Sequence, residues 1–265
     1  MLQSCSTVSI SGMRIVTWNV NSLNVRLPHV LHYLDEHSPD VLALQETKLP
    51  DERFPVAEIE AAGYRVRFAG QKTYNGVAVL SKTNADDYTT CLPGLDDPQR
   101  RLLAATISGL RIINVYVPNG QEVGSEKYHY KFRWLEAFEA FLKQEMKTHN
   151  RLIVLGDFNI APADIDVRHP ERWAGKIMCS DDERSRFRDL LALGLTDIVR
   201  SLHPDEGMYT WWDYRLNAFQ RGWGLRIDHV LTTPALKPLA AGVHTDERSR
   251  TRPSDHAPVW VECRA

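Results

Sequence analysis

The sequence predicts an α/β fold in which two mixed β-sheets pack face to face with helices on the outside. Three observations predict it. Short apolar, β-branched runs recur along the whole chain and end in Gly, Asn, Asp, Pro or Ser, the residues that stop strands. Few segments carry a helical period. The strict alternation of strand and helix that a Rossmann fold or a TIM barrel requires is missing.

The elements follow in chain order. Met13–Val20 reads as the first strand. Leu27, Val30, Leu31 and Leu34 then follow i, i+3, i+4, i+7 spacing, which predicts a helix. Val41–Leu44, Tyr64–Phe68 and Gly76–Leu80 are further apolar runs. Leu102–Ile107 and Arg111–Val117 flank Ser108-Gly109-Leu110, which predicts a hairpin. A longer helix is predicted from about Lys127 to Thr148, with Phe132, Leu135, Phe138, Leu142 and Met146 on one face. Arg151–Leu155 is the next strand, and a short helix is predicted at Phe187–Leu193, stopped by Gly194. Arg226–Thr232 and Ala257–Cys263 complete the strands.

Composition narrows the classes. With 43% hydrophobic residues in 265, the chain can bury a large core, which excludes a mostly disordered protein. No stretch approaches the ~20 consecutive apolar residues of a membrane helix. Without repeats, low-complexity runs or a long linker, a single domain over 13–265 is expected. Residues 1–12 form a Ser-rich extension, either disordered or preceding an alternative start at Met13. It lacks the basic start and apolar run of a secretory signal. Cys5, Cys91, Cys179 and Cys263 lie far apart with no C-x-x-C pair, so reduced thiols in a cytoplasmic, bacterial-type setting are expected rather than a zinc module or disulfide framework. The net charge of −2 argues against a globally basic nucleic-acid binder and leaves a local basic face open.

Polar residues gather where the apolar runs end: Asn19, Gln45-Glu46, Tyr116, Asp157-Phe158-Asn159, Asp228 and Asp255-His256. Each alone has an ordinary reading. Asn19 suits a turn, Glu46 can pair with Lys48, Ser254-Asp255 can cap a loop, and Tyr116 and Trp211-Trp212 can be core aromatics. Those readings must hold independently at every place, whereas convergence at one sheet edge explains all of them together. Glu, Asp and Asn supply hard oxygen ligands, and no H-E-x-x-H or Cys cluster exists to hold zinc. Mg²⁺, with Mn²⁺ as substitute, fits such a set, and its usual work is on phosphate. No Walker loop and no G-x-S-x-G elbow is present, so water is the expected nucleophile.

Trp18-Asn19-Val20-Asn21, Leu44-Gln45-Glu46-Thr47-Lys48, Asn114 to Gly120, Gly156-Asp157-Phe158-Asn159-Ile160, Leu225-Arg226-Ile227-Asp228 and Ser254-Asp255-His256-Ala257-Pro258 occur in this order. With them the chain resembles the exonuclease III family of apurinic/apyrimidinic endonucleases, within the endonuclease/exonuclease/phosphatase superfamily, from Met13 to Arg264. Gly70-Gln71-Lys72, Pro98-Gln99-Arg100-Arg101 and Trp212-Asp213-Tyr214-Arg215 narrow the likeness to its DNA-repair branch. The resemblance implies a four-layer αββα sandwich, a monomer, and a Mg²⁺-dependent phosphodiesterase. Its activity would be cleavage of DNA 5′ to abasic sites, processing of 3′ ends, or both.

The resemblance also implies roles for residues. Metal ligation draws on Asn19, Glu46, Asp157, Asn159, Asp255 and His256. Glu46 is the principal ligand, and Asp255 lies at an alternative metal region. Asp157 handles the attacking water or the leaving oxygen, and Asn159 orients that water. Tyr116 and His256 contact the scissile phosphate, with Asp228 holding His256. DNA contacts fall to Arg101, Asn119, Lys127, Lys131, Trp211, Trp212, Arg215, Leu225 and Arg226. Local basic clusters agree: Lys127, Lys131 and Arg133 open the long helix, and Tyr214 to Ile227 holds Arg215, Arg221 and Arg226 and no acid. In the segment Arg168 to Ser185, His169, Trp173 and Met178 are the bulky candidates near the cleft. Met178 is the first expected to bias the enzyme between abasic-site incision and 3′-end processing. Two other functions compete: a lipid or inositol-phosphate phosphodiesterase of the same superfamily, and a nucleic-acid-binding scaffold with a dead site.

Overall fold

The computed structural model describes residues 12–264, so the expected N-terminal extension lies, but for Gly12, outside the described residues. The first half comprises β1 (Gly12–Asn19), α1 (Leu23–His37), β2 (Val41–Gln45), α2 (Val56–Ala61), β3 (Arg65–Ala69), β4 (Val77–Ser81), β5 (Ala85–Thr89), β6 (Leu102–Ile107) and β7 (Leu110–Tyr116). The second half continues with α3 (Glu126–Thr148), β8 (Leu152–Asp157), α4 (Pro170–Trp173), α5 (Asp181–Ala192), β9 (Thr196–Asp197), α6 (Ile198–Leu202), β10 (Asp228–Thr232), β11 (Pro238–Val243) and β12 (Val259–Arg264). Among the described residues no helix is long and apolar enough to cross a membrane.

The strands form two six-stranded sheets, ordered β11-β12-β1-β2-β4-β3 and β5-β6-β7-β8-β10-β9. Both are mixed: β1–β2 and β7–β8 run parallel while their other neighbours run antiparallel. Alternation along each strand sends side chains to opposite faces. Ile15, Val41, Ala43 and Val79 therefore meet Leu103, Ile112, Ile153, Leu155 and Val230 between the sheets. Val16, Trp18, Leu42 and Leu44 turn outward onto Val30, Tyr33 and Leu34 of α1. On the far side Ile113, Val115 and Val154 pack against Trp134, Leu135 and Phe138 of α3 and Phe187 of α5. The result is helix, sheet, sheet, helix. Strands buried on both faces read as continuous apolar runs, which is why these were visible in the sequence. Burying each such side chain contributes roughly 1.5–3 kcal/mol.

The hairpin at Ser108-Gly109 is present, with both residues at positive φ (50° and 73°), as a tight turn matched to strand twist requires. The departures have separate physical causes. The strands β5, β9 and β11, absent from the sequence reading, all lie at sheet edges, and β5 (ADDYT) is largely exposed, so it carries no apolar run. The third helix begins at Asp181 rather than Phe187. Its charged first turn hides the period, although Ser180 and Glu183 form a capping box. The last two strands begin later than expected, at Asp228 and Val259, because the residues before them are loop that builds the site.

Register brings the polar strand ends together. Asn19 stands beside Gln45, and Asp157 lies between Tyr116 on one side and Asp228 on the other. Gly156 makes the close approach at this edge possible: its φ is +144°, and a Cβ there would run into the Val115 carbonyl oxygen.

Candidate active site

Asn19 is fully buried, and its amide nitrogen donates to Glu46 Oε1 at 2.8 Å and Asp157 Oδ2 at 2.9 Å. It thereby spans the two sheets. Glu46, Asp157 and His256 each offer a ligand atom, and these lie within 4.8 Å of one another. Asn159 fixes Asp157 through its backbone N–H, 2.8 Å from Oδ1, and its side-chain amide, 3.2 Å from Oδ2. Glu46 and Asn159 both sit at positive φ (53° and 50°), a costly backbone for residues with a Cβ that clusters at functional sites. On the outer side Lys48 Nζ pairs with Glu46 Oε2 at 2.8 Å, so the ion pair expected between them exists, at the mouth of the site.

The imidazole of His256 is oriented by Asp228: Nδ1 and Oδ2 are 2.8 Å apart, and Nε2 faces Asp157 Oδ2 at 3.8 Å. Thr210 holds Asp228 in turn, donating its hydroxyl proton to Oδ2 at 2.6 Å while accepting from the N–H groups of Ile227 and Asp228. Burial alone would lower the His256 pKa; the Asp228 and Asp157 carboxylates outweigh it and raise it to about 10. Burial pushes the Asp157 carboxyl up to about 7, with Asp228 and Glu46 adding to the rise and His256 opposing it. Burial, then Glu46, raises the Tyr116 phenol well above its ordinary value, so it keeps its proton. At neutral pH the site therefore presents an imidazolium, a carboxyl group that holds a proton more readily than an ordinary aspartate, and a phenolic donor. The cluster offers carboxylate oxygens and one imidazole nitrogen and, among the described residues, no thiol, a hard set that suits Mg²⁺ or Mn²⁺.

Asp255 does not join this group. Its Oδ1 accepts from Asn21 (2.9 Å) and its Oδ2 from the Trp211 indole (3.0 Å). A second cluster, Glu36, His37 and Glu247, lies elsewhere, and Arg250 already bridges its carboxylates.

Two hollows open around the site. A cleft of about 880 Å³ is lined by Glu46, Arg101, Tyr116, Asn119 and Lys127, by Gln71 and Gln99 from the motifs that narrow the family likeness, and by Tyr74 and Tyr130, which the sequence reading did not single out. Arg101 lies 4.6 Å over the Tyr116 ring and donates to Gln99 and to the Tyr116 carbonyl. An aromatic hollow of about 570 Å³ is lined by Trp173, Trp211 and Trp223 with Arg168, His169, Arg172 and Arg215. Arg215 is exposed and paired with Asp213.

Several expected contact residues are instead part of the interior. Lys131 is fully buried, and its ammonium pairs with Glu183 at 2.5 Å. Arg226 is buried between Asp166 and Asp197, each 2.7 Å away. Trp212 is covered by Arg248 and Phe219, and Leu225 packs with Val167, Met178 and Ile227. Met178 itself belongs to that small core, beneath the surface rather than in the hollow, so the neighbouring His169 and Trp173 are the bulky loop residues that line it. Thr210 carried no sequence signal, because a hydroxyl that orients a carboxylate has no characteristic spacing.

Residues 16–256 match the Endonuclease/Exonuclease/phosphatase family. The chain is 35% identical to the exodeoxyribonuclease III of Haemophilus influenzae, over 94% of this chain and 99% of that protein. Among solved structures, the 3′ phosphatase NExo from Neisseria, bound to a product DNA hairpin, is 51% identical with a TM-score of 0.94, covering 95% of this chain and 99% of that one. An AP endonuclease from Archaeoglobus fulgidus is 38% identical with a TM-score of 0.90, covering 94% and 98%.

Proposed function

The chain belongs to the endonuclease/exonuclease/phosphatase family and to its exonuclease III branch, and on that premise we propose that it is a Mg²⁺-dependent DNA-repair phosphodiesterase. Its substrates are duplex DNA with abasic sites, cut on the 5′ side, and DNA 3′ ends. The observation that carries this reading is the chain of contacts Glu46–Asn19–Asp157, with His256 on Asp228, where strand ends of both sheets meet. A binding scaffold needs none of it, and a lipid phosphodiesterase leaves the basic and aromatic lining of the two hollows without a purpose.

The residues divide the work. His256, kept cationic by Asp228, binds a non-bridging oxygen of the scissile phosphate, and Tyr116 donates its phenolic proton to another. Asp157, within reach of His256 and raised toward neutrality, takes a proton from the attacking water or returns one to the leaving oxygen through Oδ2. Asn19 and Asn159 hold that carboxylate in place. Glu46, with Asn19 and Asp157 beside it, would hold a divalent cation, which when bound would neutralise charge on the phosphoryl oxygens. Asn119 and Lys127 engage the DNA backbone along the wider cleft, and the aromatic hollow beside Trp211 receives the sugar or terminal nucleotide.

The test offers one pure sample an abasic duplex, a 3′-recessed duplex, a 3′-phosphate end and a sphingolipid, each with Mg²⁺ and with EDTA. DNA cleavage in Mg²⁺ alone is expected. Lipid cleavage without DNA cleavage overturns the assignment, and chelator-resistant DNA cleavage overturns the metal requirement.

A further inference from the structure

Arg248 lies outside the catalytic set, yet it touches the segment that carries His256 and the one that carries Thr210, the residue that holds Asp228. The backbone of Thr210–Trp212 pairs along Asp255–Ala257: Trp212 N–H donates to the Asp255 carbonyl at 3.0 Å and Ala257 N–H to that of Thr210 at 2.8 Å. This short pairing sets His256 against Asp228 and Asp255 against the Trp211 indole. Arg248 closes its end. One guanidinium nitrogen donates to the Ser254 carbonyl and the other to the Trp212 carbonyl at 3.4 Å. Ser254 passes the constraint on: its hydroxyl donates to the Asn19 carbonyl at 2.6 Å and accepts from His256 N–H at 3.2 Å.

The guanidinium is held in an unusual way. Arg248 is only 6% exposed and makes no salt bridge among the described residues. It lies instead within 5.0–5.9 Å of the ring centres of Phe219, Tyr214 and Trp212. Aromatic faces stabilise a cation without competing for its N–H groups, so the planar fork stays free for two carbonyls. A lysine in the same enclosure has the charge and lacks the fork.

We propose that Arg248 is a positioning residue for the reaction: its guanidinium clasps the Ser254 and Trp212 carbonyls and thereby fixes the turn that aims His256 at the scissile phosphate. The proposal rests on the catalytic reading of His256 given above. Loss of the clasp lets the turn shift while DNA still binds at the exposed cleft. Misplacement on the order of 1 Å lowers a reaction rate by roughly 100-fold.

The test measures kcat and KM on one duplex substrate for wild type, Arg248→Ala, Arg248→Lys and Phe219→Leu, with melting temperatures. Arg248→Ala is expected to lower kcat by roughly 100-fold with KM within a few-fold. Millimolar guanidinium is expected to restore part of the loss, and Arg248→Lys to remain low. Should Arg248→Ala fail to fold, Phe219→Leu, which loosens the enclosure and removes no donor, is expected to lower kcat with KM unchanged. A folded Arg248→Ala with near wild-type kcat, or a loss that guanidinium does not relieve, overturns the proposal. So does an unchanged kcat in Phe219→Leu when it is the variant that can be measured. Wild type that cleaves no DNA instead overturns the functional reading on which the proposal rests.

Discussion

Replacing Lys131 by Met separates two physical roles for a lysine that opens the long helix. In the structure its three ammonium protons are spent inside the protein, on Glu183 Oε1 (2.5 Å), the Asn159 carbonyl (2.8 Å) and the Asn119 carbonyl (3.2 Å). Both Lys131 and Glu183 are fully buried. Burial pushes the Lys131 pKa down although Glu183 pulls it up, so the pair adds little net stability while each member depends on the other. Lys131→Met strands the Glu183 carboxylate in the interior, at a cost of about 3–5 kcal/mol. For a domain of this size that lowers the melting temperature by roughly 10 °C. The double variant Lys131→Met/Glu183→Gln removes both charges and is expected to regain much of the loss, so a double-mutant cycle in denaturant is expected to return a coupling of about 2 kcal/mol. Lys127, exposed on the same helix and lining the cleft, is the comparison: Lys127→Met leaves stability alone and reduces the slope of log affinity for DNA against log salt by about 0.9. If Lys131→Met instead lowers the salt slope with stability unchanged, Lys131 faces DNA and the reasoning is wrong.

Glu46→Ala and Asp157→Asn are each expected to lower cleavage by more than about 100-fold with the fold intact by circular dichroism; activity within a few-fold of wild type shows the roles are misassigned. Against the upward push of burial, Arg226 holds Asp197 well below the usual carboxylate range and lowers Asp166 as well. Depressed carboxylates contribute stability above about pH 4 and lose it as pH falls through their folded values. Arg226→Met, which leaves Asp166 to Arg200 alone and Asp197 with only His229 beside it, should therefore unfold in acid at a higher pH than wild type; coincident acid transitions refute this. Met178→Gly empties part of the small core around Leu225 and is expected to cost on the order of 2 kcal/mol, offset in part because φ there is +67°. The ratio of abasic-site incision to 3′-end processing is expected to stay unchanged, and a shifted ratio returns Met178 to the hollow.

The line between what could and could not be read from the sequence follows from how each residue finds its partners. Strand ends are local: an apolar run that stops in Asn19, Glu46 or Asp157 announces both the strand and the polar side chain at its edge. Once the sheets face each other, those positions must converge, and the structure brings Asn19, Glu46, Asp157, Asp228 and His256 into one contact chain. Basic residues are a different matter, because a Lys or Arg on a helix or before a strand looks the same whether it faces solvent or a buried acid. Lys131 meets an acid 52 residues away, and Arg226 meets acids 60 and 29 residues away. No spacing rule reports such pairings, so in the sequence both read as DNA contacts. The edge strands were invisible for the opposite reason, lacking the two-sided burial that makes a run apolar. The same distinction reinterprets the net charge of −2. Arg226 of the acid-free tract and Lys131 of the long helix are neutralised inside the fold, so fewer basic residues are left for a DNA-holding face than the sequence suggested. The cationic residues that line the two hollows are Lys127 and Arg101 in the cleft and Arg168, Arg172 and Arg215 beside the tryptophans.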